Sequence, residues 1–326
     1  MGAQVRPALS VVIVNWNTRQ LLRDCLEAVL ADPASGQWEV WVVDNASADG
    51  SPQMVREDFP QVKLLVSPQN LGFSRGNNLA LERAEGEYLL LLNSDTRVEP
   101  GALGGLVDFM ATHPRIGAAG PMLLNADGSL QLSCGVAPSL RSEIVHKLLL
   151  HRLFPFFKLA GWDHRSPRAV GWVSGACLLV RRQALEEVGP LDPAIYMCCE
   201  DLEWCLRLTK RGWQVYYYPF SRVVHLEGQS IGKNLGEMLV VSQQSLFYLF
   251  QKHFGRGALL FLRLLTLVEM GLRSAAWSAF TLCFPARRAE GLQRLRAYRQ
   301  ILGRSLFDRA YWSPMSIPKD KGGSEN

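Results

Sequence analysis

The sequence predicts an α/β protein built on a doubly wound, mostly parallel sheet flanked by helices. Three observations carry that prediction. Within the first hundred residues, β-branched apolar runs alternate with segments of helical periodicity in the order β-α-β-α-β-α-β. The runs are apolar throughout, not alternating, which marks strands covered on both faces. Several of them end abruptly in Asn or Asp, and ligand crevices of open α/β sheets lie at that carboxyl edge.

The elements follow in order. "LSVVIVNWN" (9–17) is a buried strand, and residues 19–32 form a helix with apolar positions Leu21, Leu22, Cys25, Leu26, Val29 and Leu30, stopped at Asp32-Pro33. "WEVWVVDNASADGS" is a second strand ending in Asp44-Asn45 and a turn at Asp49-Gly50. "SPQMVREDF" reads as a helix, "VKLLVS" as a short strand, "GNNLALERAEG" as a helix and "YLLLLNSD" as a strand. "GALGGLVDFMATHP" is a helix, "IGAAGPMLLN" a strand, and "DGSLQLSCGV" continues it as a hairpin through Asp127-Gly128. Residues 138–168 are irregular or helical. "VGWVSGACLLVRR" (170–182) reads as one strand, with Gly175 marking a bulge or a close backbone approach. "RQALEEVG" and "CCEDLEWCLRLTKRG" are helices, and "WQVYYYP" is a strand followed by "SRVVHLEG".

From about residue 235 the texture changes. Residues 257–288 are strongly apolar but interrupted by Arg263, Glu269 and Arg273, so no uncharged window reaches the roughly 18–20 residues of a membrane-spanning helix. The pattern suits helices lying in a membrane interface, with Arg287, Arg288, Arg294 and Arg296 meeting acidic headgroups; a buried helical subdomain would read similarly. The expected organisation is a catalytic domain over 1–235 (nucleotide-binding half 8–125, acceptor-binding half 126–235), a helical membrane-associating region over 236–312 and a disordered tail over 313–326.

Bulk properties bound the function. With 48% hydrophobic and 20% charged residues, the 326-residue chain can bury a substantial core. A net charge of +5 fits an anionic ligand or an acidic membrane surface and is too diffuse to argue for nucleic acid. Seven cysteines form no regular framework, which favours reduced thiols and a cytoplasmic setting. The opening "MGAQVRPALSVVIVNWN" lacks a signal-peptide pattern, and Arg6 stands where myristoylation needs Ser or Thr.

Polar clusters mark the candidate site: Asn15 and Asn17, Asp44-Asn45, Asn93-Ser94-Asp95, and Glu200-Asp201. One such Asp fits a helix cap. Four clusters on one edge point instead to a cation or ligand that compensates converging carboxylates. "NLGFSRGNN" (70–78) adds Gly72, Gly76, Arg75 and Asn77 at a loop-to-helix junction, where backbone can approach an anion. It is neither a G-x-G-x-x-G fingerprint nor a P-loop, which counts against a nicotinamide-dependent dehydrogenase.

The segments "SVVIVNWNT", "VWVVDNASADGS", "NLGFSRGNN", "LLLLNSDT", "GWVSGACLLVRR", "CCEDLEWCLRLTKRGWQVYYYP" and "VVHLEG" together resemble the inverting GT-A glycosyltransferases of family 2, in particular the rhamnosyltransferase-like branch that builds bacterial surface polysaccharides. The resemblance spans roughly residues 8–230, in the right order. It implies the GT-A fold and transfer of a sugar, rhamnose or a related hexose, from a dTDP- or UDP-sugar to a hydroxyl of a lipid-linked or oligosaccharide acceptor. It implies Asp44 as the nucleotide-reading carboxylate, with Asn15, Asn45, Arg75, Asn77, Asn93 and Ser94 around the nucleotide sugar. It implies Asp95 as ligand of Mn²⁺ or Mg²⁺ with His225 completing the site, and Asp201 as general base. Trp172, Gly175 and Glu200 are then expected on the acceptor side. Asn93 departs from the family's D-x-D motif and removes one charge from the metal site, and Cys198-Cys199 stand where aromatic residues are common. The expected setting is the cytoplasmic face of the inner membrane. A binding module that kept the fold without catalysis, and a nucleotidylyltransferase, are the rival readings; retained Asp95, Asp201 and His225 argue against the first, and the lack of a basic glycine-rich N-terminal signature argues against the second.

Overall fold

The computed structural model describes residues 6–148, 162–226, 235–283, 288–308 and 311. In chain order the first half comprises β1 (Leu9–Asn15), α1 (Arg19–Leu30), β2 (Trp38–Asn45), α2 (Ser51–Asp58), β3 (Lys63–Ser67), α3 (Gly72–Leu81), β4 (Tyr88–Asn93), β5 (Thr96–Val98), α4 (Ala102–Ala111) and β6 (Ile116–Leu124). There follow β7 (Leu130–Gln131), β8 (Cys134–Gly135), α5 (Leu140–Lys147), β9 (Arg168–Ala169), β10 (Trp172–Val173), β11 (Cys177–Arg181), α6 (Arg182–Val188), α7 (Glu200–Lys210) and β12 (Gln214–His225). Two long helices close the chain, α8 (Leu235–Cys283), kinked at Gly255, and α9 (Arg288–Phe307).

The main sheet runs β3-β2-β1-β4-β11-β6-β12-β5. Its first four strands are parallel, as the alternation predicts, with Asn15 in register with Asp44 and Val14 with Asn93. Strand β11 then enters antiparallel to both β4 and β6. The sheet is therefore mixed, which corrects the expectation of a doubly wound parallel sheet. A buried strand is apolar whichever way it runs, so "CLLVR" carries no sign of its direction.

The single strand expected over 170–182 is two. Trp172–Val173 pairs with β8 in a small second sheet, and only Cys177–Arg181 joins the main one. The residues between them form a turn at the end of β4. Helix α3 begins at Gly72, earlier than the periodicity shows. Gly72 has φ +76°, and a Cβ there would lie 2.4 Å from the Tyr196 carbonyl oxygen, so both the conformation and the contact require glycine. Strand β12 runs unbroken from Gln214 to His225, joining two segments that read separately in sequence, with a bulge between Tyr218 and Arg222.

Both faces of the sheet are covered. Val11, Ile13, Leu90 and Leu92 pack under α1, α2 and α4, whereas Val12, Leu89 and Leu91 pack with Trp204, Cys205 and Leu208 of α7 on the opposite face. Strand side chains alternate between faces, so two covered faces make the sequence read as unbroken apolar runs.

The C-terminal helices pack on the α/β part of the chain. Phe247, Phe250, Leu262, Tyr298 and Ile301 form a third core that includes Leu206 of α7. A buried ion pair, Lys147 Nζ to Glu269 Oε2 at 2.7 Å, ties α5 to α8, and Lys147 also donates to Gln243. Breaking such a pair leaves a buried charge uncompensated. Lys147→Met is expected to lower unfolding free energy by about 3 kcal/mol in urea titration, and Lys147→Met with Glu269→Leu to recover part of it. An unchanged midpoint for the single variant would remove the pair from the account of this interface.

No described helix is long and apolar enough to cross a membrane. His151, Arg287 and the tail expected to be disordered lie outside the described residues.

Candidate active site

Residues expected to face the nucleotide meet where β1, β2 and β4 end. Asp44 is buried; its carboxylate accepts from the Ser47 N–H at 2.9 Å and from Asn15 Nδ2 at 3.2 Å. Thr18 Oγ1 donates to Asn15 Oδ1 and lies 2.9 Å from Ser94 Oγ, which links the ends of β1 and β4. Asn45 Nδ2 donates to the Gly72 carbonyl and so fixes the start of α3 against β2. Four of the five non-glycine residues with positive φ sit around this edge: Asn17, Ala46, Cys198 and Cys199. Strain of that kind persists only where the surroundings enforce it and gathers at functional sites.

Two predicted members serve the frame. Asn77 is fully buried on α3, where Nδ2 donates to the Phe73 carbonyl. Arg75 Nε donates to the Pro193 carbonyl at 2.7 Å, tethering the segment that leads to Tyr196. Polar atoms remain without a protein partner close by: Asn45 Oδ1, Ser74 Oγ and Asn77 Oδ1 are buried and unpaired among the described residues.

The end of β4 and the end of β12 bring Asp95 and His225 together, with Asp95 Oδ1 3.3 Å from His225 Nε2. Asn93 Nδ2 lies 3.3 Å from the same nitrogen. The Asp95 carbonyl accepts from the Leu226 N–H, which holds the two strand ends in place. Among the described residues no three His, Cys, Asp or Glu side chains gather as ligands, and no Lys or Arg pairs with Asp95. Cations that serve diphosphates use one or two protein ligands and complete their shell with phosphate oxygens and water. A carboxylate and an imidazole nitrogen facing one point, with no basic neighbour, fit such an ion.

The base candidates sit in the first turn of α7. Asp201 Oδ2 accepts from the Gly175 N–H at 3.0 Å, and Oδ1 accepts from the Leu202 N–H at 2.8 Å. The next residue, Ala176, accepts from the Asn93 N–H at 3.0 Å. The turn at Gly175–Ala176 therefore joins the carboxylate on α7 directly to the metal-motif strand. Gly175 acts through its backbone and not by yielding space, since a Cβ there would meet only ordinary contacts with Phe73 and Asp201.

Glu200 and Asp201 perturb each other. Burial and the neighbouring Asp201 push the Glu200 carboxyl up to about 8, and its Oε2 is buried without a partner. Burial also raises Asp201, but the N–H groups of Gly175 and Leu202 favour its charged form. The two N–H donors thus favour the charge on Asp201, while burial drives Glu200 toward its neutral form. Burial pushes the thiols of Cys198 and Cys199 up, so both are neutral and unsuited to nucleophilic or metal-binding work.

Helix α8 anchors this machinery, which nothing in the local sequence signals. Glu203 is fully buried and accepts from Arg207, from Lys252 Nζ at 2.8 Å and from His253 Nε2 at 2.9 Å. Against the burial that would raise it, the His253 hydrogen bond and the Arg207 and Lys252 charges hold its carboxyl near about 2. Ser245 Oγ donates to the Met197 carbonyl, and Lys252 also reaches Asp192. Glu203 is thus a clamp between helices and not an acid or base. Half-buried Trp172 lines a cavity of about 340 Å³ with Cys134, Val136, Glu143 and Leu202, the residue after Asp201.

The glycosyl transferase family 2 model matches residues 10–189. The N-acetylglucosaminyl-diphospho-decaprenol L-rhamnosyltransferase of Mycobacterium tuberculosis is 33% identical over 236 residues, covering 66% of this chain and 76% of its own. Among solved structures, the mannosyltransferase PcManGT of Pyrobaculum calidifontis, in complex with GDP-Man and Mn²⁺, superposes with a TM-score of 0.58 at 17% identity, covering 94% of this chain and 89% of that one. GalNAc-T7, solved with UDP, GalNAc and Mn²⁺, gives 0.52 at 18% identity over 76% of this chain and 50% of its own. At such identities the structural likeness is one of fold, a GT-A-like mixed sheet flanked by helices.

Proposed function

This chain belongs to glycosyl transferase family 2, whose activity is sugar transfer, and on that premise we propose an inverting, metal-assisted transferase with Asp201 as its general base. The donor is a dTDP- or UDP-sugar carrying rhamnose or a related hexose, and the acceptor is a hydroxyl of a lipid-linked or oligosaccharide chain. Similarity to the mycobacterial rhamnosyltransferase supports the sugar and the lipid-linked acceptor. The observation that carries the reading is the hydrogen-bonded turn at Gly175–Ala176, which sets Asp201 beside the strand end at Asn93 that leads into Asp95.

The residues act as follows. Asp44, Asn15 and Ser47 form the polar wall that receives the nucleotide. Asp95 and His225 would hold Mn²⁺ or Mg²⁺, which when bound neutralises charge developing on the diphosphate leaving group. Asp201 accepts the proton of the acceptor hydroxyl as that oxygen bonds to the anomeric carbon and the bond from carbon to the diphosphate oxygen breaks. Attack opposite the leaving group inverts the centre, and no covalent enzyme adduct is required. Trp172 and its cavity lie on the acceptor side. Measuring the anomeric configuration of the product by NMR tests this directly; a retained configuration would rule the scheme out.

A peripheral site on an anionic membrane surface completes the proposal. Leu260, Phe261, Leu264, Val268 and Leu272 are each 42–61% exposed and recur at three- or four-residue spacing along one face of α8. The charges that interrupt this stretch in sequence are turned away: Glu269 is buried against Lys147 and Arg273, and Arg263 donates to the Ser305 carbonyl. Helix α9 adds exposed Arg288, Arg296, Arg299 and Arg304. An apolar helix face together with exposed arginines on the neighbouring helix fits acidic lipid. Full-length enzyme is expected to float with liposomes rich in anionic lipid, and Leu260→Glu with Leu264→Glu to stay at the bottom. Equal flotation of both proteins would discard this face as the contact.

A further inference from the structure

We infer that Gln131 sets the tautomer of His225, through a chain of hydrogen bonds that begins at Asp127, and thereby presents the Nε2 lone pair to the metal position. The inference rests on the metal reading above and goes beyond it, because none of the segments that carry the family resemblance includes residues 125–131.

The direction of each bond follows from the one before. Asp127 is an ionised carboxylate in an exposed turn, held below the usual carboxylate range by hydrogen bonds from Ser129, and it can only accept. Ser129 spends its single proton there, donating Oγ–H to Asp127 Oδ1. Its oxygen must then accept from Asn125, whose Nδ2 is 2.9 Å away. That orients the Asn125 amide so that Oδ1 faces Gln131 Nε2 at 3.1 Å. The Gln131 amide is oriented in turn, with Oε1 toward His225 Nδ1 at 2.8 Å. A carbonyl oxygen has no proton to give, so Nδ1 carries the hydrogen. In the neutral ring Nε2 is then the bare nitrogen, and it is the one that faces Asp95 at 3.3 Å, with Asn93 Nδ2 donating toward it.

A metal-binding imidazole needs this second partner, which fixes ring and tautomer before the ion arrives. Here the partner is a neutral amide, so His225 gains orientation without a further negative charge at the site. Gln131 is a positioning residue: it touches the ligand and not the metal. Its strand, β7, pairs only with the end of β6, so the side chain can be changed without touching either main core.

The test uses full-length protein labelled with ¹⁵N. In the metal-free wild type, long-range ¹H–¹⁵N spectra should show His225, assigned with His225→Gln, protonated at Nδ1 and bare at Nε2. Mn²⁺ affinity, read by electron paramagnetic resonance with UDP or dTDP present, should fall about 10–100-fold in Gln131→Leu, the usual effect of losing such a partner. Gln131→Glu keeps an acceptor and should bind Mn²⁺ at least as well as wild type. A purely structural role for Gln131 would not give this split between the two variants. A proton on Nε2 in the wild type, or equal Mn²⁺ affinity in Gln131→Leu, overturns the inference. Absence of Mn²⁺ binding by the wild type sinks the metal reading instead, and the tautomer signal tells that case apart.

Discussion

Replacing Asp201 with Asn is expected to lower turnover by about 10²–10⁴-fold, the range typical of removing a general base, while donor affinity changes little. A base acts mainly in the transition state, so its loss should appear in kcat and not in donor dissociation. The amide can still meet the Leu202 and Gly175 region through its oxygen, so the local structure has a route to persist. Glu200 gives the control. If it holds the proton of the pair, Glu200→Gln mimics its native state and should keep transfer within a few-fold. A Glu200→Gln enzyme that is dead, beside an active Asp201→Asn, would reverse the assignment.

The pair also predicts a pH dependence of stability. A carboxyl whose folded-state pKa is raised binds its proton more tightly in the native state. Its contribution is therefore fully present below about 4.5 and is lost as pH rises through about 8. The wild-type melting temperature should fall over that window more steeply than that of Glu200→Gln, which has no proton to lose. Parallel curves for the two proteins would mean that Glu200 is ionised in the fold.

Asp95→Ala is the second large effect. Metal-dependent tightening of UDP or dTDP binding should disappear, with Mn²⁺ affinity down by more than about 100-fold, beyond the cost of losing an outer partner. The fold should survive, because the structural bond at this position is the backbone carbonyl that accepts from Leu226, and alanine keeps it. Calorimetric titration with and without Mn²⁺ decides the matter; equal enhancement in variant and wild type would refute the ligand role.

Much of this site is legible in the sequence, for a physical reason. Strands covered on both faces must be apolar, so their ends are conspicuous wherever Asn15, Asp44-Asn45 and Asn93-Ser94-Asp95 interrupt them. Parallel strands in register place those interruptions on one edge, and pattern and position together mark that edge as the candidate site. Arg75 and Asn77 show the limit of the method. Both stand in a glycine-containing segment that looks made for a phosphate, yet the hydrogen bonds formed by their side chains secure α3 and the Pro193 segment.

The sequence by itself determined the α/β class, the four parallel strands, the polar edge and the family, since each depends on local periodicity or on a motif read along the chain. Tertiary structure alone decided the antiparallel insertion of β11, because burial constrains a strand's composition and not its direction. It alone decided which of two adjacent carboxylates has its charged form favoured, because that depends on N–H groups donated by residues 175 and 202. Clamping of Glu203 by Lys252 and His253 and orientation of His225 by Gln131 arise between residues 49 to 94 positions apart. The apolar face of α8 likewise depends on distant partners, Lys147 for Glu269 and Ser305 for Arg263, which draw the interrupting charges away from it. Hydrogen bonds and ion pairs depend on distance in space, and separation along the chain says nothing of it until the core has packed.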